Sequence, residues 1–448
     1  MSSSTSSNKP RANRRWFAPA ARCPGRRSRC ARLALWLAAL ILLVTRLASA
    51  QEALRTSLAG NAAAEARRLQ LQSMAYTLKS GDFRLLVTPS LALNWNDNIN
   101  LTKDNPESDF ILSPVVALNA SYPLTTYNLL NLSVDFGYNK YINHDAFSQW
   151  YLGSASGVSF DVYVKDFWIN LHDNFDYSQD SAQDAAVAGT GSYGTFENTA
   201  GLSVTWDLED VTLTLGYDHQ NVMATSDQFN NSTNSINHAS ELVVARAGLK
   251  LHPKLTVGVE GTASFTTYDQ AVLNNNQEYS AGIYGDWRPG SYFSVQPRLG
   301  YTIYDVSQTS TYIQGGNLTT WYGDLTLTHQ ATDFLSYSLS AGHEISLGIE
   351  SDAIEDSYFR PSANWNVIKN VTLQTSLFYE HGDEVGGQQA SLLEKNYDWY
   401  GGSLSLSYSP MKRLRISLNY RLTMRSSDVA SGEYTQNMVG LQITYIPQ

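Results

Sequence analysis

The sequence predicts an all-β chain folded as one transmembrane, antiparallel up-and-down β-barrel of about 18 strands, with short periplasmic turns and long extracellular loops. Three observations predict it. From Asp82 to Tyr445 the residues alternate apolar and polar with period two, the mark of a sheet with two unlike faces. The links between alternating runs are themselves alternately long and short, which a soluble sandwich has no reason to arrange. Charged residues make up only 16%, there are 27 tyrosines and 10 tryptophans, and mean hydropathy is -0.28, which together exclude a bundle of apolar membrane helices.

The 448 residues begin with a basic leader: Lys9, nine arginines between Arg11 and Arg46, an apolar run from Leu33 to Val44, then Ala48-Ser49-Ala50. This is the pattern of a secretory signal peptide over 1–50 with cleavage after Ala50; the apolar run is too short for an ordinary spanning helix. Both cysteines, Cys23 and Cys30, lie in the leader, so the mature chain is expected to hold no disulfide and no cysteine-ligated metal. The leader carries 10 of the 31 basic residues and none of the 41 acidic ones, leaving a mature charge of 21 minus 41, or -20. That balance argues against nucleic acid as a partner. Residues 51–81 are Ala-rich without alternation and predict a partly helical periplasmic extension; the barrel then occupies 82–448.

The period-two runs place strands at 82–97, 109–121, 127–142, 151–164, 167–178, 195–207, 210–222, 238–251 and 254–268. Nine more follow at 277–288, 292–304, 317–329, 334–346, 355–368, 371–382, 395–409, 412–425 and 433–446. In the run Val211 to Asp218, for example, Val211, Leu213, Leu215 and Tyr217 alternate with Thr212, Thr214, Gly216 and Asp218. Lys165-Asp166, Leu208-Glu209, His252-Pro253 and Pro410-Met411 make tight turns, whereas Gln179 to Gly194 and Met223 to Asn237 make long polar outer loops. An even strand number leaves both barrel ends in the periplasm. Trp206, Trp287, Tyr292, Phe334, Trp365 and Tyr408 flank the short turns, and Tyr138, Tyr151, Tyr268, Tyr301, Tyr358, Tyr379 and Tyr400 lie toward the long loops. Two aromatic girdles at the lipid headgroups are expected. Pro89, Pro114, Pro297 and Pro361 fall inside strands although proline cannot donate to a ladder. The last strand alternates Val439, Leu441, Ile443 and Tyr445, like the signal read by barrel-assembly machinery, but Ile446, Pro447 and Gln448 follow the aromatic.

Pro89-Ser-Leu-Ala-Leu-Asn-Trp-Asn-Asp-Asn-Ile-Asn-Leu101, with Ser108-Asp-Phe-Ile-Leu-Ser-Pro114, resembles the opening hairpin of the β-barrel porin-2 family of bacterial outer-membrane proteins. The resemblance implies a barrel over 82–446, a channel role, and for some members an association with exopolysaccharide. It implies no catalytic residues and no cofactor.

Nothing in the chain points to an enzyme. The eight histidines are scattered without HExxH or other metal-ligand spacing, and no GxSxG elbow occurs. Gly189-Thr-Gly191-Ser-Tyr-Gly194 matches GxGxxG in an outer loop, without the strand and helix that give the motif meaning. Acidic loop residues Asp180, Asp184, Asp305, Asp383 and Glu384 read as a solvated loop face, with cation bridging to lipopolysaccharide as the sharper alternative. The inward parity carries the chemistry. It mixes Ser, Thr, Asn and Gly with charges of both signs, and so many desolvated charges would each cost several kcal/mol, so water is expected to fill the lumen. Candidate lumen residues are Arg246, Glu260, Arg298, Asp324, Arg360, Asp135, Asp218 and Arg421. Hairpin register sets Arg246 opposite Glu260 and Arg298 opposite Asp324, predicting pairs that either set a transverse field or brace the wall.

These readings predict a passage for small hydrophilic solutes, with an exit conduit for exopolysaccharide and a surface adhesin or anchor as alternatives. Partners expected are outer-membrane lipid and lipopolysaccharide, the assembly machinery, and polysaccharide or small polar solutes.

Overall fold

The computed structural model describes Leu69 and residues 74–447, other than 179–183, 191–192, 226–236, 272, 308, 310–316, 350 and 386–395. The chain divides into a unit Met1–Arg55 and a unit Thr56–Gln448, and the described residues belong to the second. The expected signal peptide and most of the expected, partly helical extension therefore lie outside the described residues.

Twenty strands follow one another. They are β1 (Leu78–Ser80), β2 (Phe83–Asn96), β3 (Asp109–Thr125), β4 (Asn128–Tyr141), β5 (Gln149–Leu152), β6 (Gly157–Val164) and β7 (Phe167–Ser178). Next come β8 (Thr195–Asp207), β9 (Val211–Ala224), β10 (His238–His252), β11 (Leu255–Tyr268), β12 (Asn276–Gly290) and β13 (Phe293–Val306). The wall is completed by β14 (Asn317–Thr332), β15 (Leu335–Ser346), β16 (Ala353–Ile368), β17 (Val371–Val385), β18 (Asn396–Met411), β19 (Leu414–Ser427) and β20 (Tyr434–Tyr445). Apart from β5 and β6, which each pair with β4 and β7 and not with one another, each strand pairs antiparallel with its sequence neighbour, and β20 pairs with β2, so the sheet closes. Eighteen wall positions result, because β5 and β6 share one position and β1 only extends the edge of β2 below the end of β20.

The division of the expected strand 151–164 has a local cause. Residues 153–156 leave the ladder, with Gly153 N donating to Asp135 O at 2.8 Å and Asp135 N donating to Ser156 Oγ at 3.0 Å. The prolines also find a place. Pairing of β3 with β4 is interrupted beside Pro114, of β12 with β13 beside Pro297, and of β16 with β17 at Pro361. Pro89 lies just past Ser90, where the β2–β20 pairing stops. Each missing donor is thus spent where a ladder is already open.

Membrane hydrocarbon offers backbone groups no partner, so only a closed sheet or a helix survives there. Closure satisfies the backbone, and the side chains sort accordingly: Leu215, Val259, Ile283, Leu299, Leu377 and Leu418 are all more than half exposed on the outer face. Exposed Trp287, Tyr292, Phe334, Trp365 and Tyr408 form the lower girdle as expected. The upper girdle is corrected in three places. Tyr151, Tyr268 and Tyr358 turn inward: Tyr151 lies against Gly137, Tyr268 is buried, and Tyr358 bonds to Asp324. Tyr301, Tyr379 and Tyr400 stay outside, joined by Trp150 and Trp321.

Candidate functional site

The inner wall is where the chain holds its charge. Ladder register puts Arg246 (β10), Glu260 (β11), Gly282 (β12), Gly300 (β13) and Tyr322 (β14) in one row. The two glycines leave a lane about 14 Å long across three strand spacings. Tyr322 lies flat along it and donates to Glu260 Oε1 at 3.0 Å. A Cβ on Gly282 would sit 2.2 Å from the Tyr322 hydroxyl, and one on Gly300 would sit 2.3 Å from its ring, so only glycine admits the arrangement.

Glu260 also accepts from Arg246 Nε at 3.0 Å and Arg298 Nε at 2.9 Å. Its side chain is 1% exposed, whereas Arg246 and Arg298 are 42% and 37% exposed. One shielded carboxylate therefore holds two guanidiniums that still face the lumen, a cluster of net charge +1. The expected pairing of Arg246 with Glu260 holds in both register and contact. Arg298 does stand opposite Asp324 in the ladder, but its ion pair is with Glu260, because the glycine lane lets it reach diagonally past β12.

The same device recurs. Tyr358 lies over Gly342 and donates to Asp324 Oδ2 at 2.9 Å, and Tyr397 lies over Gly382 and donates to Asp356 Oδ1 at 3.3 Å. His172 and Asp218 meet at 2.8 Å across Gly201. Each is a row of acid, glycine and ring, in which the missing side chain lets two long ones close over a strand. Arg246, Arg298, Arg360 and Arg425 each stack over one of the inward tyrosines Tyr284, Tyr322, Tyr358 and Tyr397. Arg360 also donates from Nη2 to Glu380 Oε2 at 2.7 Å, and Arg421 from Nη2 to Gln436 Oε1 at 3.3 Å.

The candidate lumen residues therefore do not form one ring. Arg246, Glu260, Arg298, Asp324 and Arg360 share one side, whereas Asp218 pairs with His172 and Asp135 stands beside the β5–β6 interruption. On β3–β9 the inward charges among the described residues are Asp109, Asp135, Asp161, Asp176, Glu197, Asp207 and Asp218, and the one cation of those strands, Lys140, is on the outer parity. On β10–β19 stand inward Arg246, Arg298, Arg360, Arg415, Arg421 and Arg425. An acidic wall thus faces a wall of mixed sign, on which these arginines stand among inward Glu260, Glu278, Asp324, Glu344, Asp356 and Glu380.

Two outer links correct a second expectation. Residues 184–190, expected on an outer loop, turn into the barrel from the β7–β8 side and dock on the far wall. Ala185 packs on Ile354 and Tyr397, and Val187 on Leu101 and Tyr434. Arg425, itself buried, donates from Nε to Ala185 O at 2.7 Å, and Gly189 N donates to Leu101 O at 2.9 Å. From the opposite side, residues 347–349 and 351–352 also fold inward. Ile349 joins the Val187 cluster, while Asp352 takes the backbone N and Nδ2 of Asn274, both at 3.0 Å. Buried Tyr304 donates to Asp352 O at 2.9 Å. Between Ile345, Ser346 and Leu347 on one side and β8–β13 on the other lies a lumen cavity of about 260 Å³ lined by Thr199, Asp218, Gln220, Ser264 and Glu278. Burial beside Glu380 pushes the Asp184 carboxyl up, with Arg425 acting weakly the other way. The uncommon run Ala185-Ala-Val-Ala188 inside an otherwise polar link was the sequence signal for this inward turn.

No family model and no curated protein matches the sequence. Among solved structures, the chain is similar to a BenF-like porin from Pseudomonas fluorescens Pf-5, at 9% identity and TM-score 0.46, over 82% of this chain and 99% of that one. It is similar to OccK2 (OpdF) from Pseudomonas aeruginosa in complex with glucuronate, at 9% identity and TM-score 0.47, over 82% and 98% of the two chains. It is also similar to the outer membrane protein OpdK of Pseudomonas aeruginosa, at 10% identity and TM-score 0.44, over 80% and 98%. The chain's own closed sheet, apolar outside and polar within, is that of an outer-membrane β-barrel.

Proposed function

We propose that this barrel is an outer-membrane channel for passive diffusion of small hydrophilic solutes, sorted by charge and dipole between its two unlike walls. The carrying observation is the uneven distribution of charge: inward carboxylates without cations on β3–β9, and inward arginines interspersed with carboxylates on β10–β19. A dry interior has no use for guanidiniums left more than a third exposed, as Arg246, Arg298 and Arg360 are. Unlike walls set a field across the path of a solute, and the segments at 184–190 and 347–349 narrow that path at its outer end. The test is single-channel recording in planar bilayers, wild type against Arg298→Ala. Discrete conductance steps with altered ion selectivity in the variant are expected. Absence of steps refutes the channel, and unchanged selectivity leaves the arginines as wall braces only.

A second reading, a conduit for an exported polysaccharide, is favoured by one observation. At the periplasmic end of the lumen Tyr163 and Trp168 stack within 7° of parallel, and the Trp168 indole donates to Asp161 Oδ1 at 2.8 Å. An aromatic face beside a carboxylate suits a sugar ring. Loss of secreted polymer in a strain carrying Trp168→Ala, with conductance intact, would single out this role.

A further inference from the structure

On the periplasmic rim the β16–β17 hairpin projects past the β14–β15 turn, leaving a notch of about 630 Å³ between them. Its apolar lining is Phe334, Trp365, Val367 and Ile368, and Phe334 and Ile368 are 64% and 65% exposed at their turn tips. Its polar lining is Asn366, Asn370 and Thr372, together with one anion, Asp333, and one cation, Lys369. Neither charge has an ion pair within 4 Å among the described residues, although they share the notch. Next to the notch, Thr372 donates to Asn366 Oδ1 at 3.0 Å and Asn366 N donates to Phe334 O at 2.8 Å, so the two turns are held together.

We propose that this notch binds a single aminophospholipid of the periplasmic leaflet, with its phosphate on Lys369, its primary ammonium on Asp333 and its acyl chains along Phe334, Trp365 and Val367. The argument is one of complementary charge. Two opposite, uncompensated charges at the level of the lipid headgroups match a zwitterion better than they match an anion, which Asp333 would repel. They also match a primary ammonium better than a trimethylated one, because only the former donates hydrogen bonds to a carboxylate. The lower aromatic girdle sets the depth: Trp365 lies at the notch, so a headgroup there is in register with the rest of the leaflet. A cleft with one apolar flank and one bipolar rim is also what would hold a lipid in place rather than merely touch it.

The site is on the periplasmic rim and includes none of the arginines or carboxylates of the inner-wall rows, so it stands or falls separately from the channel reading. The test is native mass spectrometry of the whole barrel released from micelles containing equal amounts of phosphatidylethanolamine, phosphatidylglycerol and phosphatidylcholine with identical chains. Wild type is expected to retain phosphatidylethanolamine about tenfold over either competitor, one tenfold step in binding. Asp333→Asn should erase the preference over phosphatidylglycerol while phosphate binding persists, and Lys369→Gln should reduce retention of both. Lys412→Gln, on a turn that does not line the notch, should change nothing. Equal retention of the three lipids by wild type, or an unchanged preference in Asp333→Asn and Lys369→Gln, overturns the proposal. Both substitutions are at exposed turn residues, and an unaltered β-sheet circular dichroism spectrum verifies that the barrel is intact.

Discussion

Replacing Glu260 by Gln keeps the shape of the side chain and removes the charge that two arginines share. The cluster then changes from net +1 to net +2. A unit charge acts on a monovalent ion about 6 Å away in water with about 0.7 kcal/mol. Screening at 0.1 M salt, where the Debye length is about 10 Å, leaves about 0.4 kcal/mol. That range corresponds to a factor of about 2 to 3 for each ion sign, favouring anions and opposing cations, or about 4 to 9 in the permeability ratio. The lumen-facing arginines are 42% and 37% exposed, which justifies the aqueous value rather than that of a dry interior. The assay is the reversal potential across a planar bilayer under a tenfold salt gradient centred near 0.1 M. It should shift toward anion selectivity in Glu260→Gln, and the shift should nearly vanish near 1 M, where the Debye length is about 3 Å. An unchanged reversal potential at low salt would show that ions do not pass the Glu260 cluster, and the reasoning from charge segregation would fail.

Arg425→Ala removes the hydrogen bond to Ala185 O and a second, at 2.7 Å, to Gly432 O, loosening the inward segment by about 1.5–3 kcal/mol; single-channel conductance should rise and become noisier. Asp184 has its carboxyl pushed up by burial, so its contribution to seating the segment is full below the ordinary carboxylate range and is lost as pH rises through the raised value. Conductance should therefore increase toward higher pH in wild type, and Asp184→Asn should flatten that dependence; a pH response left intact in the variant rules the residue out. Gly282→Ala sets a methyl against the Tyr322 hydroxyl and Leu299 O, so the barrel should lose about 1–3 kcal/mol in denaturant titration of the refolded protein, whereas Gly261→Ala, whose Cβ would meet nothing nearer than 3.5 Å, should lose much less.

The barrel itself was legible because membrane strands must alternate and must close, and both demands are written in single residues. Runs such as Val211 to Tyr217 reveal their face directly, and turns as short as Lys165-Asp166 leave the register little freedom. That is why Arg246 could be set opposite Glu260 by counting from a turn. The contact of Arg298 with Glu260 was hidden because it skips a strand, and parity treats only neighbours. Its trace was there in the inward glycines Gly282 and Gly300, which a sheet interior otherwise disfavours. Tyr358 and Tyr268 were misread for a related reason: near a strand end, an aromatic serves a girdle or a lumen brace with the same residue type, and only parity counted from the strand centre separates them. The inward turn of 184–190 depends on Arg425, 240 residues away along the chain, and no local pattern carries such a contact.

The join between the first and last wall positions is held by seven residue pairs, Ser90 with Thr444 through Asn96 with Met438, against twelve between β19 and β20. A hoop shares its tension equally along the circumference, so its thinnest rivet line yields first. Pulled from the carboxyl terminus, this molecule should therefore peel open at that join while the rest of the staves stay clasped, and the little β1 patch, bonded to β2 alone, is left behind on the far side of the tear.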